Sequence, residues 1–116
     1  MNKYRDKSDF EINKAVAVLT GAVPFSFGAT EFRRSSVSGM ESAIIIKSPR
    51  KVGAFAPCNT PADAMPIIIE NGISSIFNGD EWICSALDGE FLSINENLYR
   101  AGCEVFLMMK DAENES

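Results

Sequence analysis

Apolar positions recur with a helical period at three places along the chain and with a strand period between them. Ser8-Asp9-Phe10-Glu11 has the S-x-x-E pattern of a capping box, and Ile12, Ala15, Val16 and Leu19 follow at i, i+3, i+4 and i+7. Asp9 and Glu11 put negative charge at the positive end of that helix, while Gly21 and Pro24 end it. Thr60 as N-cap, Pro61 at the first helical position and Asp63 in the first turn predict a second helix. It carries Ala62, Met65 and Ile69 inward and stops at Gly72, and Pro66 predicts a kink or a late start. Asn97 caps a third helix from Leu98 to about Lys110. Leu98, Ala101, Val105 and Met108 or Met109 form its stripe, which Phe106 and Leu107 widen until the helix needs cover on more than one side.

The remaining segments read as strands. Residues 73–77, 81–86 and 90–94 are joined by Asn78-Gly79-Asp80 and Asp88-Gly89, both strong hairpin signals, and predict a meander. Ser42–Lys47 carries the β-branched run Ile44-Ile45-Ile46, and Lys51–Ala56 pairs back after Ser48-Pro49. Val23–Arg34, with Phe25, Phe27, Gly28 and Phe32, suits strand or loop, and residues 35–39 read as a flexible turn. The assembled expectation is an α+β fold. Three helices pack on a mainly antiparallel sheet of four to six short strands, with both faces of the sheet covered if the layers form an α-β-α sandwich. One domain spans 1–116, with 1–7 and 111–116 flexible, since the length suits a single core.

Composition closes off several chemistries. There is no histidine, which removes the commonest neutral-pH base, Ser-His and Cys-His nucleophile pairs and histidine-containing zinc sites. Cys58, Cys84 and Cys103 are odd in number and widely spaced, so buried free thiols in a reducing cytoplasm are expected rather than disulfides or a metal site. No glycine-rich phosphate loop occurs, no apolar run approaches a membrane span, and the charged N-terminus is unlike a signal peptide. The expectations are a cytoplasmic protein that is not an enzyme, with no cofactor and no metal.

Eleven Lys and Arg against sixteen Asp and Glu give a net charge of −5, which disfavours nucleic acid as a partner. Arg33, Arg34, Lys47, Arg50 and Lys51 could still converge into a local basic patch on a sheet edge, although solvated surface charges are the plainer reading. Cys58, Asn59, Thr60 and Asp63 gather polar groups at a helix N-terminus, where an anion could bind, or else they merely cap the helix and shape its turn. Cys58 is the only candidate nucleophile, with Lys51 or Asp63 as its partner. Trp82 and Tyr99 are candidates for a protein contact, against the alternative that Trp82 turns into the core. Met108-Met109 suits the core or a dimer seam, and Asp63 with Glu70, two turns apart on one helix, gives no acid–base signal.

Three stretches, Ser8–Ala17, Phe55–Ser74 and Arg100–Met109, together resemble the NinX-like proteins of lambdoid phages and enterobacterial prophages, in that family's order and spacing. Residues 22–50 lie outside the match. Ala56 stands where the family usually has Asn, and Met65 where it often has a larger aromatic. The resemblance implies a phage or prophage origin and a small domain in which helices sandwich a sheet. The family's biochemical role is unknown, so no catalytic residue can be transferred. The resulting functional expectation is a non-enzymatic accessory protein working through contacts with a host or phage protein, with a homodimer as a further reading. The alternative is a nucleic-acid-associated protein using the basic patch.

Overall fold

The computed structural model describes residues 2–25 and 31–115. Its elements run α1 (Asp9–Leu19), β1 (Val23–Pro24), β2 (Arg33–Arg34), β3 (Ile44–Lys47), β4 (Val52–Phe55), α2 (Pro61–Glu70), β5 (Ser74–Phe77), β6 (Trp82–Ala86), β7 (Phe91–Asn95) and α3 (Leu98–Glu115). This is an α+β fold with three helices, and its antiparallel strands divide into two sheets of four and three strands. In the four-stranded sheet β3 is central: β4 lies along one edge, while β1 and β2 share the other, pairing with Lys47–Ile46 and Ile45–Ile44 respectively. The three-stranded sheet is the meander β5-β6-β7. Phe27 and Gly28 lie outside the described residues.

Local signals set the helix ends. The Ser8 hydroxyl accepts the backbone N–H of Glu11 at 3.2 Å. The Glu11 carboxylate does not close the box on the Ser8 backbone; it pairs with Lys7 one turn earlier. Both α1 and α2 end in Schellman motifs: Ala22 N–H reaches Ala17 C=O and Ile73 N–H reaches Ile68 C=O, each across a left-handed glycine, Gly21 or Gly72. Asn97 caps α3 by accepting the N–H groups of Tyr99 and Arg100. Thr60 occupies the N-cap of α2 but makes no side-chain cap hydrogen bond.

Two expectations about the helices need correction. The buried face of α2 holds Asp63, Ala64, Ile67 and Ile68, while Ile69 is 70% exposed. Three consecutive isoleucines leave the helical phase open, and contacts with the rest of the chain choose it. The helix also begins at Pro61 rather than late, so Pro66 lies inside it and deprives the Ala62 carbonyl of its usual donor. Helix α3 continues past Lys110 to Glu115. Tyr4 O–H donates to Asp111, Lys3 pairs with Asp111, and the Asn2 amide reaches Ser93 and Glu104. The 35–39 segment is likewise a bonded turn, with Ser35 buried and its hydroxyl accepting the N–H of Val37.

Helix α3 lies at the centre, packed against β6 and β7 on one side and against α1 and α2 on another. It is buried from Arg100 to Leu107, including two charged residues. Arg100 Nε bonds Glu104 at 2.5 Å, its Nη1 bonds Asp9 at 2.6 Å, and its Nη2 reaches the backbone carbonyls of Tyr4 and Lys7. The other Glu104 oxygen accepts from Ser93 and Asn2. Burial opposes the charge on Arg100, but these carboxylate hydrogen bonds more than offset it and raise its pKa. Among the described residues no buried side-chain N or O lacks a partner.

Gly102 sets the spacing between α2 and α3. A Cβ there would stand 2.7 Å from Cδ1 of the buried Ile68. Gly102→Ala gains about 1 kcal/mol of helix propensity but overpacks this contact at a cost of about 1–3 kcal/mol. Denaturant unfolding is therefore expected to show a net loss of about 1 kcal/mol, recovered in part when Ile68→Val is added.

Candidate functional site

Three of the four residues proposed as an anion site, Cys58, Asn59 and Asp63, are held by other parts of the chain. Cys58 is fully buried; its backbone N–H donates to Asn13 at 2.8 Å and its carbonyl accepts from Asn97 at 2.7 Å. The Asn59 side chain spans Ser42 and Asp9. Asp63 is buried, pairs with Lys51 Nζ at 2.8 Å and accepts the Ala56 N–H at 3.0 Å. A negative charge from the chain itself already occupies this corner, and it fixes the β4–α2 connection.

The cysteines are equally enclosed. A hydrogen bond with Cys103 and burial together push the Cys58 thiol well above the usual range. Burial, with Cys103 nearby, raises Cys84 to about 11. A thiolate is the reactive form, so neither thiol is poised for nucleophilic work near neutral pH. Among the described residues no three Cys, Asp or Glu side chains gather as they would around a metal ion.

Three of the five basic residues are engaged within the chain. Arg50 pairs with Glu70 at 2.5 Å, Lys51 with Asp63, and Arg34 lies over the Phe10 ring at 3.8 Å while donating to the Glu41 carbonyl. Arg33 and Lys47 stand on the outer face of the four-stranded sheet, where register aligns Lys47 with Val23 and Val52. A cavity of about 650 Å³ opens below, floored by Ile46, Phe55, Ile67 and Phe106. Its rim cations Arg50, Lys51 and Lys110 are all in ion pairs, which leaves no free charge to orient a ligand.

Trp82 and Tyr99 do come together, lining one shallow hollow of about 440 Å³ with Asn59, Glu96, Asn97 and Leu98. Trp82 is half-buried and rests on Phe77, with ring centroids 5.1 Å apart. The hollow lies at one end of the β5-β6-β7 sheet, whose two faces differ sharply. Register puts Ser75, Cys84 and Ser93 in one cross-strand row, and the small, buried Cys84 and Ser93 admit α3 closely over β6 and β7. It puts Ile76, Ile83 and Ile94 in the adjacent row on the opposite face, with Leu92 alongside. Ile76 is 64% exposed, and Leu92 and Ile94 are each 46% exposed. No described element covers this face, so the sandwich is incomplete here. The sequence did not say which side α3 would take.

At the end of that face Leu87 and Asp88 adopt left-handed backbone angles, φ +53° and +55°, which are costly for leucine, and the Leu87 side chain is 62% exposed.

The three stretches singled out in the sequence meet in space. Asn13 holds Cys58, Asp9 holds both Asn59 and Arg100, and Cys58 touches Cys103. What they share is the internal polar frame. The model of the family described as Bacteriophage P22, NinX matches residues 3–110. The chain belongs to that family. No curated protein and no solved structure matches it. Among the described residues of this NinX-family chain, no helix is long and apolar enough to cross a membrane.

With all three thiols buried, the native protein is expected to take up less than one iodoacetamide per chain at about pH 8, against three after unfolding in guanidinium. Rapid alkylation of native Cys58 would restore it as a candidate nucleophile.

Proposed function

We propose that this NinX-family chain is a non-enzymatic phage accessory protein that works in the host cytoplasm by binding another protein, with the open face of β5-β6-β7 as its contact surface. The observation that carries this reading is the aliphatic row Ile76–Ile83–Ile94 with Leu92, left in solvent on a well-formed sheet. A contiguous exposed apolar patch is costly to a monomer and marks an interaction surface. Leu87 supports the same conclusion, since its backbone is strained while its side chain, 62% exposed, gains little from packing. The Trp82–Tyr99 hollow lies on the α3 side of the sheet rather than on this face.

The nucleic-acid reading has less behind it. With three of the five basic residues engaged elsewhere, Arg33 and Lys47 could neutralise about two phosphates, a salt slope near 2 and weak binding.

A photo-crosslinker at Leu92, introduced into the protein in phage-induced cells, is expected to capture one defined partner protein, while a crosslinker at Val52 does not. Ile76→Ser with Ile94→Ser is expected to abolish capture without loss of helical circular dichroism. DNA or RNA binding that survives this change but is lost on Arg33→Glu with Lys47→Glu would overturn the proposal. Leu87→Gly separates folding from contact: it is expected to stabilise the chain by about 1 kcal/mol, through relief of the left-handed strain, while weakening capture.

A further inference from the structure

The open face carries a charge signature that specifies its occupant more closely. From Val52 to Tyr99 the chain contains no lysine or arginine. Over the sheet itself lie five carboxylates: Asp80 and Glu81 in the β5–β6 turn, Asp88 and Glu90 in the β6–β7 turn, and Glu96 after β7. Because Phe77, Trp82 and Asn95 are in register, Asp80, Glu81 and Glu96 cluster at one end of the sheet, with Asp88 and Glu90 at the other. None of these five side chains has a salt-bridge or hydrogen-bond partner among the described residues, whereas Asp9, Asp63, Glu70, Glu104 and Asp111 all do. The face therefore carries the apolar row Ile76–Ile83–Ile94 beside the row Ser74–Ser85–Leu92, with negative charge at both ends of its strands.

Its dimensions point to one kind of structure. Three strands about 4.8 Å apart make a face about 10 Å wide, the width of one helix, and on the opposite side a single helix, α3, covers β6 and β7. Strands of four to five residues make it about 15 Å long, which a helix spans in about ten residues. We infer that the open face of β5-β6-β7 receives an amphipathic helix of a partner protein, with an apolar stripe along its middle and basic residues at both ends. This rests on the protein-contact reading above and adds the chemistry of the partner.

A second copy of the chain fits less well. Two copies stacked on this face in a symmetric dimer would set acidic ends near acidic ends, which opposes association. Placing the Arg33 and Lys47 face of one copy on the acidic-ended face of another is heterologous, and such a contact builds open chains rather than closed dimers unless its rotation closes.

The test uses the full chain and two labelled synthetic helical peptides sharing one leucine stripe at i, i+3, i+4 and i+7, one with lysines at both ends and one with glutamates. Fluorescence anisotropy at about 50 and about 200 mM salt reads binding. The lysine-ended peptide is expected to bind about tenfold or more tighter than the glutamate-ended one, and more weakly at the higher salt. Its binding should be lost both in Ile76→Ser with Ile94→Ser and in the charge variant Asp80→Asn with Glu81→Gln and Glu96→Gln; circular dichroism confirms that both fold. Equal binding of the two peptides overturns the basic-helix inference while leaving the protein-contact reading intact. Lysine-peptide binding that is indifferent to the isoleucine substitutions is charge attraction away from the face and overturns it too. Failure of both peptides also overturns it, whether sedimentation shows a monomer or an association lost in Ile76→Ser with Ile94→Ser, the latter making a second copy the occupant. The crosslinking experiment stands apart from these outcomes, because it reads contact at the face whatever the chemistry of the partner.

Discussion

The buried guanidinium of Arg100 is the constraint on which the rest of the structure depends. A charge removed from water must find full compensation, and breaking such a group's partnerships costs about 3–5 kcal/mol. Arg100 finds its compensation in four places at once: Glu104 on its own helix, Asp9 at the start of α1, and the carbonyls of Tyr4 and Lys7 before it. Glu104 carries the same demand onward to Ser93 in β7 and Asn2. The N-terminal segment, α1, α3 and the meander are thus fixed to one another by hydrogen-bond geometry, where apolar packing alone would tolerate sliding.

Asn13 and Asn97 extend that frame to the β4–α2 connection by taking the N–H and the C=O of Cys58. Asp63 and Lys51 complete it at the next corner. This accounts for the chemistry of the segment around Cys58. Polar side chains at a helix start can receive a ligand or can satisfy backbone groups that packing has cut off from water, and here the second demand uses them. The polar groups that look reactive in the sequence hold the fold, and the surface proposed for contact is an apolar one.

That surface follows from how α3 meets its sheet. The small, buried Cys84 and Ser93 allow the helix close, and the cost of that choice is that the isoleucine row faces outward. Charge is segregated in the same sense. Cations lie on the N-terminal segment, α1, the four-stranded sheet with its connections, and α3, while the meander carries only carboxylates. A chain with net charge −5 therefore presents its negative field mainly around its open apolar face.

Much of this was written locally. The capping serine of α1, the Asn97 cap, the glycines that end α1 and α2, and the Asn-Gly turn of the meander act within a few residues, so the sequence alone determined the elements and their α+β class. Only the strand register placed Ile76, Ile83 and Ile94 on one face. The sequence did not determine which face of the meander α3 would cover, or which way Ile67-Ile68-Ile69 would turn. The spacing Arg100–Glu104 inside an apolar run hinted at a buried ion pair, but Asp9 and Tyr4, more than ninety residues away, could only be supplied by the fold. Caps and turns satisfy their hydrogen bonds from neighbours in the chain, whereas buried charges and sheet faces are settled by whichever distant groups arrive beside them, and only the tertiary structure decided that.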